Sequence, residues 1–289
     1  MQKPSASWYR SEAKIASLRR VSSKNSEQID VDFSLEEMFI TIRGSEGVLF
    51  SGEWTSTTTW QGTTLPAIDD WDEILWHDDE DCVYLECERT LDQGFRLQRQ
   101  ILLARKDRFL LLGDALIGPD GVTRASSPDL HHTFEFPLAE GATAKPAKET
   151  REIAISSGGK RSGNVVPLAF PEWHAEYASG ALTTDNGKLQ LALQSAGPNL
   201  YAPLWIDLKG PRLPIPLTWR RLTVAEQLEI QPRDVAVGYR MASGTLQWLI
   251  YRSLVPHGNR TVLGKNYATE FVCTRFLDDG KTSDIFQVQ

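Results

Sequence analysis

The sequence predicts an all-β protein: a large antiparallel β-sandwich, supersandwich-like in its number of strands, with a short N-terminal helix. Two observations favour this class. From Gln28 onwards, short alternating or apolar segments are separated by turn residues, the pattern of sandwiches and barrels. No run of ten residues after Val21 keeps a helical period. With 289 residues, the chain is long enough to bury a large core without disulfides or metal ions.

The N-terminal segment is the exception to the β pattern. Trp8, Ile15 and Leu18 fall roughly on one face of a helix, which Ser7 could cap. We therefore expect an arm or short helix over residues 1–23 and a single large sandwich over residues 24–289. The segment has no apolar central stretch, so we expect no secretory signal. No run in the chain approaches the roughly 20 apolar residues of a membrane span, and we expect no membrane partner.

The clearest predicted strands form a meander in the first half of the chain. Before it, strands are expected at residues 28–33, 38–43, 48–59 and 74–76. The meander itself consists of residues 83–89, 95–104 and 109–116, with turn-forming residues between them at 91–94 and 105–107. Consecutive apolar residues at 101–103 and 110–112 predict strands that are buried on both faces.

The second half begins after a segment of low apolar content. Residues 142–163 are rich in Ala, Lys, Pro, Ser and Gly, which predicts a long exposed loop between two halves of the sandwich. Five prolines between residues 197 and 217 predict an irregular connection there. The expected strands of this half are 175–183 and 188–194 around an Asp185-Asn186-Gly187 hairpin turn, then 222–230, 236–242, 246–254, 269–276 and 283–288, with a turn at 278–280.

The charge and cysteine content exclude several classes. The 38 acidic and 31 basic residues give a net charge of -7, which argues against a nucleic-acid binder. Eight of the acids lie between Asp69 and Asp81, without the spacing of a calcium loop, and predict a solvated loop. The three cysteines predict buried thiols rather than a disulfide framework. In a strand, Cys82 and Cys87 would point to opposite faces.

Arg99 is the first candidate site residue. If its strand alternates regularly, Arg99 shares an apolar face with Leu97 and Ile101, and a buried arginine needs a partner. The turn that precedes the strand would set Glu86 opposite Arg99, whereas a one-residue slip would put Cys87 there. The prediction is an Arg99–Glu86 pair that fixes the register of the sheet, with ligand binding as the alternative.

Histidines and aromatic residues supply the other candidates. His131 and His132 would face opposite ways in a strand, either as an ordinary edge-strand pair or with one of them lining a groove. Trp173 and His174 belong to a cluster at 171–177 that could stack on a sugar ring or form an aromatic core strand. No catalytic residue, cofactor or metal site is assigned. The residues expected to bind a ligand are Arg96, Arg99, His131, His132 and Trp173.

Several of these segments resemble a known family. Tyr84-Leu85-Glu86, the arginine-bearing strand at 96–103, the apolar strand at 109–114 that ends in Asp, and the His-containing segment 131–136 resemble the β-sandwich domain of heparinase II/III-like polysaccharide lyases. The likeness covers residues 82–137. In that family, the proton-abstracting residues come largely from a helical toroid that has no counterpart here, and the zinc motifs are absent. We therefore transfer neither catalytic residues nor a zinc site.

The resemblance implies a non-catalytic or accessory β-sandwich associated with polysaccharide binding or degradation. One alternative is an active lyase that acts by β-elimination on uronate polymers, with a histidine, Tyr84 or Tyr177 as the base. Such a lyase needs an arginine-like group to neutralise the uronate carboxylate and a base within about 3 Å of the proton. The other alternative is a structural module that packs against a helical partner domain.

Overall fold

The chain folds almost entirely into β-strands, which confirms the predicted class. The computed structural model describes residues 6–23, 26–122, 129–256, 258–277 and 281–289. The first strands are β1 (Trp8–Arg10), β2 (Ile15–Arg19), β3 (Gln28–Asp32), β4 (Met38–Gly44), β5 (Gly47–Trp60), β6 (Thr63–Thr64), β7 (Asp72–Asp78), β8 (Cys82–Thr90), β9 (Arg96–Ala104) and β10 (Phe109–Ile117). They are followed by β11 (Leu130–Pro137), β12 (Ala142–Pro146), β13 (Ile153–Ser157), β14 (Lys160–Pro167), β15 (Gly180–Asp185), β16 (Lys188–Ser195), β17 (Leu200–Asp207) and β18 (Leu217–Leu222). The last are β19 (Val224–Glu226), β20 (Glu229–Ile230), β21 (Ala236–Ser243), β22 (Leu246–Ser253), β23 (Arg260–Val262), β24 (Lys265–Tyr267), β25 (Phe271–Phe276) and β26 (Thr282–Val288).

These strands form four sheets with antiparallel neighbours. The first sheet has the order β1-β2-β3-β4-β5-β11-β16-β15, with β6 beside β5, and the second has the order β12-β13-β14-β17-β10-β9-β8-β7. The third is β18-β21-β22-β25-β26, and the fourth is β20-β19-β23-β24. Three apolar clusters join them: one between the first and second sheets, one between the second and third, and a smaller one between the third and fourth.

The second sheet is central and is covered on both faces. Along β9, Leu97 and Ile101 pack towards the first sheet, whereas Leu102 and Ala104 pack towards the third. The predicted meander is therefore confirmed as β8-β9-β10, and its consecutive apolar residues are buried on both sides. This arrangement also separates the thiols, since Cys82 faces the third sheet and Cys87 faces the first. All three cysteines are free and buried, as expected.

The predicted N-terminal helix is wrong. Within the arm of residues 1–23, the part that is described forms β1 and β2, joined by a 3-10 turn at Ser11–Ala13. Lys14 takes the left-handed conformation that closes this turn, with φ of 51°. β2 lies between β1, the edge strand of the first sheet, and β3, with which it pairs along its whole length. Tertiary pairing thus overrides a weak helical periodicity that rests on three apolar positions.

The long exposed loop expected at 142–163 is also wrong, because this segment contains β12 and β13 and the start of β14. These strands extend one edge of the second sheet. The outermost strand, β12, has no buried residue, which fits its low apolar content and its position at the edge. The expected division into one arm and one sandwich in two halves stays a prediction.

The proline-rich connection was predicted to be irregular, yet it contains β17, in the middle of the second sheet. Pro203 lies opposite Gly113 of β10. Its carbonyl accepts a hydrogen bond from the amide of Leu168, just beyond the point where the β14 ladder ends at Pro167. The missing donor of Pro203 therefore falls at the end of a ladder, where it interrupts no pairing.

Other turns and loops follow the sequence more closely. The hairpin between β15 and β16 is confirmed, with Asn186 and Gly187 both at positive φ (48° and 73°), as such two-residue turns require. The acidic segment 69–81 is not a loop throughout, because most of it forms β7, a charged edge strand next to the buried Trp71. The turn predicted at 278–280 lies outside the described residues. Within the described ranges, no helix has the length and apolar character needed to span a membrane.

Candidate functional site

Arg99 lies fully buried between the first and second sheets and is completely engaged there. Its Nε and Nη2 donate to the two oxygens of Asp114 at 2.8 and 2.9 Å, and its Nη1 donates to the carbonyl of Trp54 at 2.7 Å. The guanidinium also lies over the rings of Trp54 and Trp71, at 4.1 and 4.8 Å from their centres. This arrangement satisfies a buried arginine with a bidentate carboxylate and two aromatic faces.

The predicted Arg99–Glu86 pair is wrong. The register of β8 and β9 is the one-residue slip, with Cys87 opposite Arg99. Glu86 consequently points towards the third sheet, where it accepts a hydrogen bond from Tyr84 at 2.6 Å and pairs with Arg252 at 3.0 Å. A slip of one residue moves every side chain of a strand to the other face, and this determines which charges meet.

His132 joins the Arg99 cluster from β11. Its Nε2 lies 3.1 Å from Oδ2 of Asp114, and its Nδ1 lies 2.9 Å from the hydroxyl of Thr58. His131 is exposed, so the two histidines face opposite ways as predicted. They do not form an edge-strand pair, because β11 lies between β5 and β16. Burial alone would raise the pKa of Asp114, but Arg99 and His132 together hold it well below its usual value.

The low pKa of Asp114 predicts how stability depends on acid. Its folded pKa lies below its unfolded value of about 3.9, so its stabilisation is present above that pH and is lost as the pH falls below it. The Asp114→Asn variant has no carboxylate at this position and takes up no proton there as the pH falls. We therefore expect the difference in free energy of unfolding between wild type and Asp114→Asn to narrow below about pH 4, as measured by urea denaturation across pH. A gap that widens in acid would contradict the assignment.

The remaining predicted ligand-binding residues lie elsewhere on the surface. Arg96 is exposed on β9 and pairs with Glu88 at 3.0 Å. His131 projects from the first sheet, and Trp173 lies in a loop after β14 with 47% of its surface exposed. The fold therefore brings Arg99 and His132 together in the core and keeps Arg96, His131 and Trp173 apart. The core-strand interpretation of residues 171–177 is wrong, because Trp173 and Tyr177 are both exposed.

The loop that carries Trp173 is held firmly beside β18. Arg151 donates to the carbonyls of Pro171 at 3.1 Å and Glu176 at 2.7 Å, and also to that of Trp173. On the other side, the indole of Trp219 donates to the carbonyl of Phe170 at 2.9 Å. The loop is thereby fixed against the open edge of the third sheet, and a groove lies between them.

Four arginines line this groove, and we call it the arginine groove. It comprises a cleft of about 590 Å³ and an adjoining one of about 360 Å³, which share Ala169, Tyr177, Arg221 and Arg233. Arg220 and Arg240 lie directly opposite each other on β18 and β21. Like charges in that position destabilise a sheet. Within the described part of the chain, none of the four arginines forms an ion pair, and Arg240 donates only to Gln247.

Exposed aromatic residues complete the groove. Tyr177 is 86% exposed and Trp173 47% exposed, on the loop side. Three carboxylates are also present, Glu172, Glu176 and the buried Asp234. Glu172 accepts a hydrogen bond from the amide of Trp219, and burial raises its pKa. Glu176 is exposed on the same loop. The groove therefore combines an excess of positive charge with flat apolar rings, which suits an anionic ligand with sugar-like faces.

Sequence reasoning found only part of this groove. It identified the aromatic cluster around Trp173 but missed Arg220, Arg221, Arg233 and Arg240. The adjacent pair Arg220-Arg221 in a strand was the only local signal. The juxtaposition of Arg220 and Arg240 depends on the register of β18 and β21, which no local pattern specifies.

Comparison with known proteins finds similarity in structure alone. No protein-family model matches the chain, and no curated protein sequence matches it. The heparan sulfate lyase HepC from Pedobacter heparinus aligns with a TM-score of 0.58 and 11% identity, over 89% of this chain and 44% of that one. A heparinase III gene product aligns with a TM-score of 0.59 and 8% identity, over 88% and 43%. A further heparinase III structure aligns with a TM-score of 0.55 and 9% identity, over 88% and 43%.

The chain thus spans less than half the length of these structures. Because nearly all of it is β and about nine-tenths of it aligns, the shared part is a β domain. Because the sequence identities are only 8% and 11%, the similarity shows the fold alone. The chain has the fold of the β domain found in heparinase III-like structures.

Proposed function

We propose that this chain is an accessory β-sandwich that binds an anionic polysaccharide in the arginine groove. The observation that carries the proposal is the Arg220–Arg240 pair. Two arginines directly opposite each other, with no carboxylate partner among the described residues, cost stability. Sites that depart from local stability rules are often functional, and a bound anion would offset this repulsion.

The chemistry of the groove matches such a polymer. Planar guanidinium groups hold carboxylates and sulfates by paired hydrogen bonds. Trp173 and Tyr177 offer flat faces for sugar rings. The proteins of similar fold are named as heparan sulfate lyase and heparinase III, which supports a sulfated uronate polymer as the ligand class. Of the residues proposed from sequence, only Trp173 lines this groove, and a direct role for Arg96 or His131 stays a prediction.

The binding proposal is tested with one double variant. We expect Arg220→Ala/Arg240→Ala to lower the affinity for heparan sulfate fragments by about tenfold or more, because two charge-assisted contacts are lost. Isothermal titration calorimetry measures the affinity, with neutral dextran as the non-binding polymer. The matched control is Lys160→Ala/Lys188→Ala, which removes the same net charge from the exposed first residues of β14 and β16. Equal losses in both double variants, or equal binding of dextran, would contradict a specific groove.

The position of Tyr177 favours an active lyase as the second candidate. The other tyrosine considered as the base, Tyr84, is buried, and burial together with Glu86 raises its pKa well above the usual value, which argues against it. Tyr177 is exposed and lines the same cleft as four arginines. If the chain is a lyase, Tyr177 is the residue best situated to remove the proton.

Absorbance separates the two functions. Elimination leaves an unsaturated sugar that absorbs in the ultraviolet. Under the accessory proposal, we expect heparan sulfate and polygalacturonate to bind without a rise in absorbance. A rise that disappears in Tyr177→Phe would favour the lyase instead. A helical partner domain stays a prediction.

A further inference from the structure

Three different metal-ligating side chains meet at the turn between β7 and β8. His77 lies near the end of β7, Cys82 begins β8, and Asp79 lies in the turn between them. One ligand atom from each, an imidazole nitrogen, a carboxylate oxygen and the thiol sulfur, all lie within 4.8 Å of one another. This cluster is separate from the arginine groove and plays no part in polysaccharide binding as proposed above.

The cluster is organised before any ion is added. Oδ1 of Asp79 accepts hydrogen bonds from the amides of Asp81 and Cys82, both at 2.8 Å. Oδ2 is thereby directed to Nε2 of His77, at 2.9 Å. The imidazole in turn packs on the ring of Phe286, with 5.0 Å between ring centres. Such contacts orient ligands and limit the reorganisation that binding requires.

The thiol of Cys82 is the ligand that distinguishes this cluster from a surface group of acids. Cys82 is completely buried, and its side chain is directed into the interface of the second and third sheets beside Asp79. A buried sulfur, an imidazole and a carboxylate form a mixed donor set that favours Zn²⁺ over Ca²⁺ or Mg²⁺, which bind through oxygen alone.

The local charge also favours a cation. Four consecutive acids, Asp78 to Asp81, surround the turn. Two cations oppose them: Arg105 bonds to Asp78 at 2.6 Å, and Lys106 bonds to Asp81 at 2.8 Å. Arg105 also donates to the backbone carbonyl of Asp79. The carboxylate of Asp79 bonds to His77 and to two backbone amides, and the four acids of the turn outnumber these two cations.

The geometry points to a Zn²⁺ site formed by His77, Asp79 and Cys82, with a water molecule as the fourth ligand. The side chains of His77 and Asp79 are 40% and 41% exposed, so solvent reaches the open position. On binding, the S–H bond of Cys82 breaks, its proton leaves to solvent and a zinc–thiolate bond forms. This site departs from the expectation of no metal drawn from the sequence, and its three ligands lie within six residues.

Cobalt is the probe that reports the thiolate directly. We expect the metal-stripped full chain, purified without a polyhistidine tag, to bind one equivalent of Co²⁺. A thiolate-to-cobalt absorption band in the near ultraviolet should appear and be removed by Zn²⁺. Cys82→Ser should lose the band, whereas Cys87→Ser and Cys273→Ser should keep it. Absence of the band from wild type, or its persistence in Cys82→Ser, would overturn the site.

A second variant tests the site even if Cys82→Ser does not fold. His77 is partly exposed, so His77→Gln should fold normally and weaken Zn²⁺ binding by at least about tenfold. Asp81→Asn removes a neighbouring acid that is not a ligand and should retain most of the affinity. We also expect Zn²⁺ to raise the Tm of wild type more than that of His77→Gln. Equal Zn²⁺ affinity in wild type and His77→Gln would refute the assignment.

Discussion

Arg99→Ala is expected to lower the free energy of unfolding by about 3–5 kcal/mol, because it leaves the carboxylate of Asp114 buried without its main counter-charge. Both side chains are fully buried, so the carboxylate that is left stays away from bulk solvent. The carbonyl of Trp54 loses its donor as well. Urea denaturation at neutral pH, followed by tryptophan fluorescence, measures the change.

Arg96→Ala is the matched control on the same strand. Arg96 is exposed and its pair with Glu88 is solvated, so we expect a loss of at most about 1 kcal/mol. The comparison separates the effect of burial from the effect of removing an arginine from β9. Similar losses in the free energy of unfolding for the two variants would show that the Arg99–Asp114 pair does not contribute the expected stabilisation.

Arg252→Leu is expected to produce a loss of similar size, about 3–5 kcal/mol, at the interface of the second and third sheets. Arg252 is fully buried on β22, and its Nη2 lies 3.0 Å from Glu86 and 2.7 Å from Glu270. Without it, Glu86 keeps its bond from Tyr84 but loses its buried counter-charge. The network continues from Tyr84 to Gln100 and from Gln100 to Tyr201. The loss of Arg252 would leave this buried network without its positive charge.

Glu270→Gln tests the same arginine from its exposed side. Glu270 is 37% exposed, so we expect a loss of at most about 1 kcal/mol by urea denaturation. Glu86→Gln removes the buried charge and should cost more than Glu270→Gln. If the order is reversed, the contact of Arg252 with Glu86 is not what holds the two sheets together.

The architecture was predictable where local signals agree. The meander of β8, β9 and β10 follows from apolar strands of similar length separated by turn residues. The Asn186-Gly187 turn was predictable because those residues readily adopt positive φ. The opposite orientations of Cys82 and Cys87 follow from the two-residue period of a strand. Each of these inferences needs only neighbouring positions.

Predictions failed where the outcome depends on distant partners. The N-terminal helix and the loop at 142–163 became strands because open sheet edges pair with them. Arg99 was expected to meet Glu86, but a one-residue difference in the register of β8 and β9 puts Cys87 there, and the carboxylate partner of Arg99 is Asp114 on β10. The sequence resemblance covered residues 82–137, whereas the structural similarity covers 89% of the chain. The fold is similar to that of HepC although only 11% of the aligned residues are identical.

By itself, the sequence determined that this protein is made of antiparallel strands and contains a double-faced meander, because side-chain period and turn chemistry are local properties. Tertiary structure alone decided which charges are buried together and which remain unpaired. Asp114 beside Arg99, Arg220 opposite Arg240, and the stacking of four sheets all depend on register and layer order. Those are set by the burial of many side chains at once, so no single stretch of residues encodes them.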